Sequence, residues 1–206
     1  IQLAGVPSFW QTALLSLVRV LAGLLAGTLL GALTAALTCA SSWCERLFAP
    51  VIRIVRATPV ASFILLVLLW TGRNQVPAVI SGLMVLPVVW ENLTQGIRST
   101  DRQLLELSRA YRFSRGKTVR LVYLPSLKPY LLSAVTTAMG LAWKSGVAAE
   151  VLCLPRPGIG TEINHAKQAF ETADLFAWTA VVICLSLLME RFLTRLIQRR
   201  REGAAA

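Results

Sequence analysis

The chain has 206 residues, 55% of them apolar, with a mean hydropathy of +0.62 and a formal net charge of +11. Length alone admits one or two water-soluble domains, but the apolar residues fall in long runs rather than in amphipathic alternation, which excludes that class. The four cysteines (Cys39, Cys44, Cys153 and Cys184) form no CxxC pair and have no partnering histidines, so neither a disulfide framework nor a metal site is indicated.

The first residue is Ile1 and no cleavable signal pattern is visible. A membrane span needs roughly 20 apolar residues to cross a hydrocarbon core of about 30 Å. Five stretches are expected to do so: about 13–40, 57–72, 76–97, 129–152 and 175–194. The first is broken only by Arg19, which can snorkel to the outer surface. It carries Gly23, Gly27 and Gly31 at four-residue spacing, and small residues on one face let helix backbones approach closely in lipid. Packing within the chain is favoured over a dimer seam. The second stretch begins near Pro59 and is short, so it either extends back through 51–55 or lies tilted. The third holds Pro87 and Glu91, the fourth Lys144 and Glu150.

Lysine and arginine placement sets the orientation, because basic loops stay on the cytoplasmic side. Segments 41–58, 98–128 and 190–206 hold sixteen of the 21 basic residues, whereas the opposite loops hold only Arg73, Arg156 and Lys167. The C-terminus is therefore expected inside, ending in a basic cytosolic tail at 198–206. The positive charge is topogenic and does not indicate nucleic-acid binding.

The segment 98–128 is too long for a simple connection. Thr100 with Gln103 reads as a capping box, followed by Leu104, Leu107 and Tyr111 on one helical face. A second start falls at Ser114, and Leu124–Pro125 is expected to end that helix. Anchorage in the bilayer at both ends argues against a DNA-binding helix-turn-helix. Gly116-Lys117-Thr118 is not a phosphate-binding loop, since Tyr111 occupies the position of the required first glycine and no strand precedes it. A rigid docking element that passes a partner's movement to the adjoining spans remains.

The stretch Glu106-Leu-Ser-Arg-Ala-Tyr-Arg-Phe-Ser114, with Leu121-Val-Tyr-Leu-Pro125, resembles the EAA signature of permease subunits of ABC importers. Leu107 and Ser108 replace the two alanines of that signature, and Arg112 replaces its glycine. Downstream, Gly140 to Glu150, Gly158-Ile-Gly160 and Asp174 to Trp178 look like the nitrate/sulfonate/taurine type of the same superfamily. The resemblance implies a MetI-like all-α membrane bundle over 10–197, with one more helix upstream of the present start. It implies a homodimer of permeases in a bacterial inner membrane, two cytosolic ATPases and an external solute-binding protein. ATP and Mg would sit on the ATPase, with no cofactor on this subunit. The residues matching the coupling segment are Glu106, Ser108, Arg109, Ala110, Tyr111, Arg112, Phe113 and Ser114, closed by Leu124 and Pro125. The substrate class expected is a small anionic solute such as a sulfonate or nitrate.

Ionisable residues inside spans face protein or water and have partners. Glu91, Lys144 and Glu150 are the candidates for the translocation path. Lys144 either faces that path or pairs with Glu91; Lys144 and Glu150 are six apart and cannot pair along one helix face. In the outer loop 153–173, Gly158-Ile-Gly160 reads as a tight turn of an external gate that meets the binding protein, and His165 as a solvated surface residue. No nucleophile–base arrangement appears, so the chain is not expected to be an enzyme. The competing class is an ion-coupled secondary transporter or channel, which predicts intramembrane carboxylates and inverted repeats.

Overall fold

The computed structural model describes residues 7–202, with side chains to residue 195; of the tail at 198–206, residues 203–206 lie outside the described residues. All regular structure among the described residues is helical: α1 (Pro7–Ala40), α2 (Ser42–Ala57), α3 (Val60–Trp70), α4 (Val76–Arg98), α5 (Arg102–Ala110), α6 (Arg115–Thr118), a π-helical turn (Val119–Tyr123), α7 (Leu124–Cys153), α8 (Ile159–Gln168) and α9 (Thr172–Glu202).

The core is a three-helix stack in which α4 lies between α1 and α7. The α1 glycines explain the first contact. A Cβ on Gly27 would lie 2.5 Å from the Gly82 carbonyl oxygen, and one on Gly31 2.8 Å from Val89 Cβ; Gly23 abuts the Ala78 carbonyl in the same way. These glycines seat α4 within the chain. The α7 contact is similarly close, with a Gly146 Cβ position 2.6 Å from both Val20 Cγ2 and Ser81 Oγ. The Ser81 hydroxyl donates to the Ala142 carbonyl at 3.0 Å, so a polar group in the apolar core keeps a partner. Trp90 Nε1 donates to Thr38 Oγ1 at 3.0 Å and Trp143 Nε1 to the Val182 carbonyl at 3.2 Å, tying α4 to α1 and α7 to α9.

The expectation of five spans is met in part. Among the described residues three helices are long and apolar enough to cross a membrane, Pro7–Ala40, Val76–Arg98 and Thr172–Arg195. A fourth exists if α2 and α3 count as one broken span bent by 111°. With 11 residues, α3 is only about 16 Å long. Pro59 has no N–H to continue the α2 ladder and disfavours a helical Thr58, which takes an extended ψ of 133°. The 30 residues of α7 are long enough, but its serines, threonines and Lys144 lower its hydropathy.

Two local expectations also change. Asp101, not Thr100, caps α5, accepting from the Gln103 N–H at 2.8 Å, while the Thr100 hydroxyl donates back to the Gly96 carbonyl at 3.1 Å. Leu124–Pro125 does not end a helix. The backbone runs from Arg115 through the π turn into α7, with Pro125 in the first turn of α7. Proline is tolerated there, and the Leu124 N–H reaches back five residues to the Val119 carbonyl, so the wider turn accommodates the missing donor.

Candidate functional site

Two sites emerge, one at each end of the bundle. The first is the loop at 99–125. Leu105 is half-buried, Ser108 and Val122 are buried, and the Ser108 hydroxyl donates to the Leu105 carbonyl at 2.8 Å. The adjoining apolar stripe of α5 is bare: Leu104, Leu107 and Tyr111 are 43%, 54% and 70% exposed. The apolar stripe legible in the sequence therefore points outward and leaves little of α5 buried against its own chain.

The end of α5 is a Schellman motif. The Phe113 N–H donates to the Ser108 carbonyl and the Arg112 N–H to the Arg109 carbonyl, both at 2.9 Å. This closure needs a left-handed residue, and Arg112 takes it with φ 50°. The position where the importer signature has glycine is thus held in glycine's conformation by an arginine. Ser114 caps the following turn, accepting from the Lys117 N–H at 3.4 Å, and Lys117 Nζ sits 4.3 Å from the centre of the Phe113 ring. Because a left-handed non-glycine residue costs roughly 1–2 kcal/mol, Arg112→Gly is expected to stabilise the loop by about 1 kcal/mol and Arg112→Val to destabilise it. Proteolytic nicking rates at 109–115 in the folded protein check this; faster cleavage of the glycine variant would overturn it.

The second site surrounds Glu150, which is fully buried. Its carboxylate accepts from the Ser16 hydroxyl at 2.8 Å, the Gly160 N–H at 3.1 Å and Arg19 Nη1 at 3.2 Å. The Ser16 hydroxyl oxygen also accepts from the Ile159 N–H at 3.0 Å. Arg19 further donates to the Pro157 carbonyl at 2.6 Å, and the Thr161 hydroxyl to the Pro155 carbonyl at 2.6 Å. Glu150 thus lies at the N-terminus of α8, where orphan N–H groups and the positive end of the helix dipole favour an anion. Gly158-Ile-Gly160 is not a tight turn but the start of α8: Gly158 is its N-cap. A Cβ on Gly160 would lie 2.5 Å from Glu150 Cβ and from the Val151 nitrogen, so only glycine lets α8 approach α7 this closely. Arg19 does not snorkel away; it folds onto Glu150.

The remaining candidates separate. Glu91 accepts from Arg56, not Lys144, in an exposed ion pair beside a second one, Arg98 Nη2 with Glu45 Oε1 at 2.6 Å. Lys144 is exposed on α7 and lines a cleft of about 280 Å³ with Thr137, Gly140, Ser186 and Glu190. Sequence reasoning missed Ser16; its spacing of three from Arg19 on one helix face was the available signal. It also missed Asp101 and Arg56.

Long apolar helices packed as a bundle, with an exposed amphipathic helix on a basic loop, mark the chain as a membrane-spanning protein. The chain belongs to the family of binding-protein-dependent transport system inner membrane components, whose pattern matches residues 23–202. It is a non-catalytic subunit of a multi-pass family that carries no cofactor of its own. It is 35% identical over 195 residues to the riboflavin transport system permease protein RibX of Chloroflexus aurantiacus, covering 90% of this chain and 72% of that one. Against the putative aliphatic sulfonates transport permease protein SsuC of Escherichia coli it is 37% identical over 164 residues, covering 79% and 62%. Against the bicarbonate transport system permease protein CmpB of Synechococcus elongatus it is 26% identical over 187 residues, covering 89% and 66%. The chain thus spans about two thirds of the length of such relatives. Among solved structures, an amino acid ABC transporter crystallised with histidines superposes with a TM-score of 0.78 at 17% identity, covering 94% of each chain. The methionine ABC transporter MetNI in an inward-facing conformation superposes with a TM-score of 0.71 at 19% identity, covering 92% of this chain and 93% of that one. These two likenesses bear on the fold alone.

Proposed function

We propose that this permease carries a small anionic solute, of the sulfonate or bicarbonate class, inward across a bacterial inner membrane as one half of a homodimer. The C-terminus is cytosolic. The partners are a pair of cytosolic ATPases and an external binding protein that delivers the solute. The observation that carries the reading is the bare apolar face of α5, Leu104, Leu107 and Tyr111, on a helix of which only Ser108 is buried against its own chain. Such a surface fits a protein cleft better than water. Closure of the ATPases on ATP pulls the two loops together, and α7, continuous with the loop, moves with them.

In this reading α7 is a further span, because it packs along α4 in the middle of the bundle and lipid does not solvate its polar residues. With the bent pair α2–α3 the chain then has five. A second copy faces the side of α7 that bears Thr137, Gly140 and Lys144, whose ammonium suits an anionic solute. The α8 segment held at Glu150 serves as the outer gate.

Replacing both Leu107 and Tyr111 with alanine is expected to weaken ATPase association at least about thirtyfold, as removing interface hot spots does, with the permease still folded. Association measured in lipid nanodiscs checks this. Unaltered binding, or labelling of Glu106→Cys from the outer side, would refute the assignment. An ion-coupled carrier would instead transport with no ATPase bound.

A further inference from the structure

The outer end of the bundle contains a cavity beside α8, apart from the Glu150 cluster. It has a volume of about 700 Å³ and is lined by Arg73, Asn74, Gln75, Leu154, Arg156 and His165, together with Gly72. Outer loops of membrane proteins are poor in arginine, yet two of the three basic residues outside the spans on this side converge here, joined by the chain's single histidine. No carboxylate lines the cavity; Glu162 and Glu171, in and after α8, lie outside the lining. Among the described residues, none of the three ion pairs involves Arg73, Arg156 or His165.

We infer that this cavity is a binding site for a small oxyanion, with Arg73 and Arg156 as paired guanidinium donors and His165 as a third.

The donors come from three separate elements, each on an ordered backbone. Arg73 rides the turn closed by the Gln75 N–H on the Gly72 carbonyl at 2.8 Å. The residues on either side of Arg156 are pinned, Pro155 by Thr161 and Pro157 by Arg19, each at 2.6 Å. His165 projects from α8. The start of α4 and the end of α7 meet at the same cavity and carry opposite partial charges, so the arginines set the field. Guanidinium forks match the planar or tetrahedral oxygens of carboxylate, sulfonate and bicarbonate. The volume is ample for such an anion with several waters, each of about 30 Å³.

That the site faces outward rests on the orientation proposed above; that it binds an anion does not. The test uses the permease–ATPase complex in nanodiscs of zwitterionic lipid, without binding protein, titrated with radiolabelled sulfate. Saturable binding at one site per protomer is expected, weakened about tenfold or more by Arg73→Gln and by Arg156→Gln. Lys167→Gln, a change of equal charge outside the lining, should leave it unaltered. Absence of saturable binding, or equal weakening by Lys167→Gln, overturns the site. If sulfate does not bind but the two arginine variants lose capture of the binding protein, the cavity receives a protein carboxylate and the free-anion site is likewise overturned. Saturable sulfate binding together with unaltered ATPase association when Leu107 and Tyr111 are both replaced by alanine leaves this inference standing while the coupling reading fails.

Discussion

Replacing Glu150 with alanine is expected to cost about 3–5 kcal/mol, the range for removing one partner of a buried ion pair. Three donors lose their acceptor at once: the Ser16 hydroxyl, the Gly160 N–H and Arg19 Nη1. Arg19 is only 14% exposed and keeps its charge. The loss should appear as a lower unfolding midpoint in mild detergent. It should be accompanied by new accessibility of α8 cysteine probes, because the Gly160 N–H holds that helix to α7 through this carboxylate, and the Ile159 N–H holds it to α1 through Ser16, itself donating to Glu150. A double change to Arg19→Met and Glu150→Leu should recover much of the stability, since it removes both charges rather than stranding one. An alanine variant that melts with the parent would show that water, not Glu150, satisfies these groups.

Placing a leucine at Gly27 is expected to be at least as damaging. The first side-chain atom alone would lie 2.5 Å from the Gly82 carbonyl oxygen and 2.8 Å from Val85 Cβ. Both are fixed parts of α4, not flexible side-chain ends, so the helices must separate along their length. Overpacking usually costs about 1–3 kcal/mol where neighbours can yield; here the backbone cannot, and failure to accumulate folded protein is the expected readout. Gly140→Ala is the control. Among the described residues nothing beyond its own helix turn approaches its Cβ position within 4 Å, and alanine should raise helix stability by about 1 kcal/mol. Equal damage from the two changes would mean that glycine matters for helix flexibility and not for the α1–α4 contact.

Residue spacing made some of this legible and sequence distance hid the rest. Gly23, Gly27 and Gly31 marked a close-approach face on α1, because the helical period is local; that α4 fills it depends on a contact some 55 residues away. Pro59 flagged a break before α3, but the 111° turn there depends on packing. Ser99-Thr100-Asp101 offered three adjacent capping residues, and propensity alone could not choose Asp101. Arg112 was visible as a departure from the importer signature, and the structure shows that the chain keeps the left-handed backbone and changes only the residue. Glu91 with Arg56 and Glu150 with Ser16 and Arg19 join distant segments, so no local pattern announces them. Leu104, Leu107 and Tyr111 were read correctly as one face; whether that face turned inward or outward was a tertiary question.

In the proposed coupling, the continuous helical backbone from Arg115 to Cys153 acts as a beam with a fulcrum. Its tightest crossing is at Gly146, wedged between Val20 and Ser81. About 46 Å of helix lies on the loop side of that point and about 10 Å on the Glu150 side, taking 1.5 Å per residue. A tilt about the crossing therefore turns a wide swing inside into a stroke roughly a quarter as large outside, with the force multiplied in proportion. Few ångströms of travel are needed to strain the three hydrogen bonds on Glu150, and mechanical advantage of this kind suits the proposed coupling to a cytosolic motor.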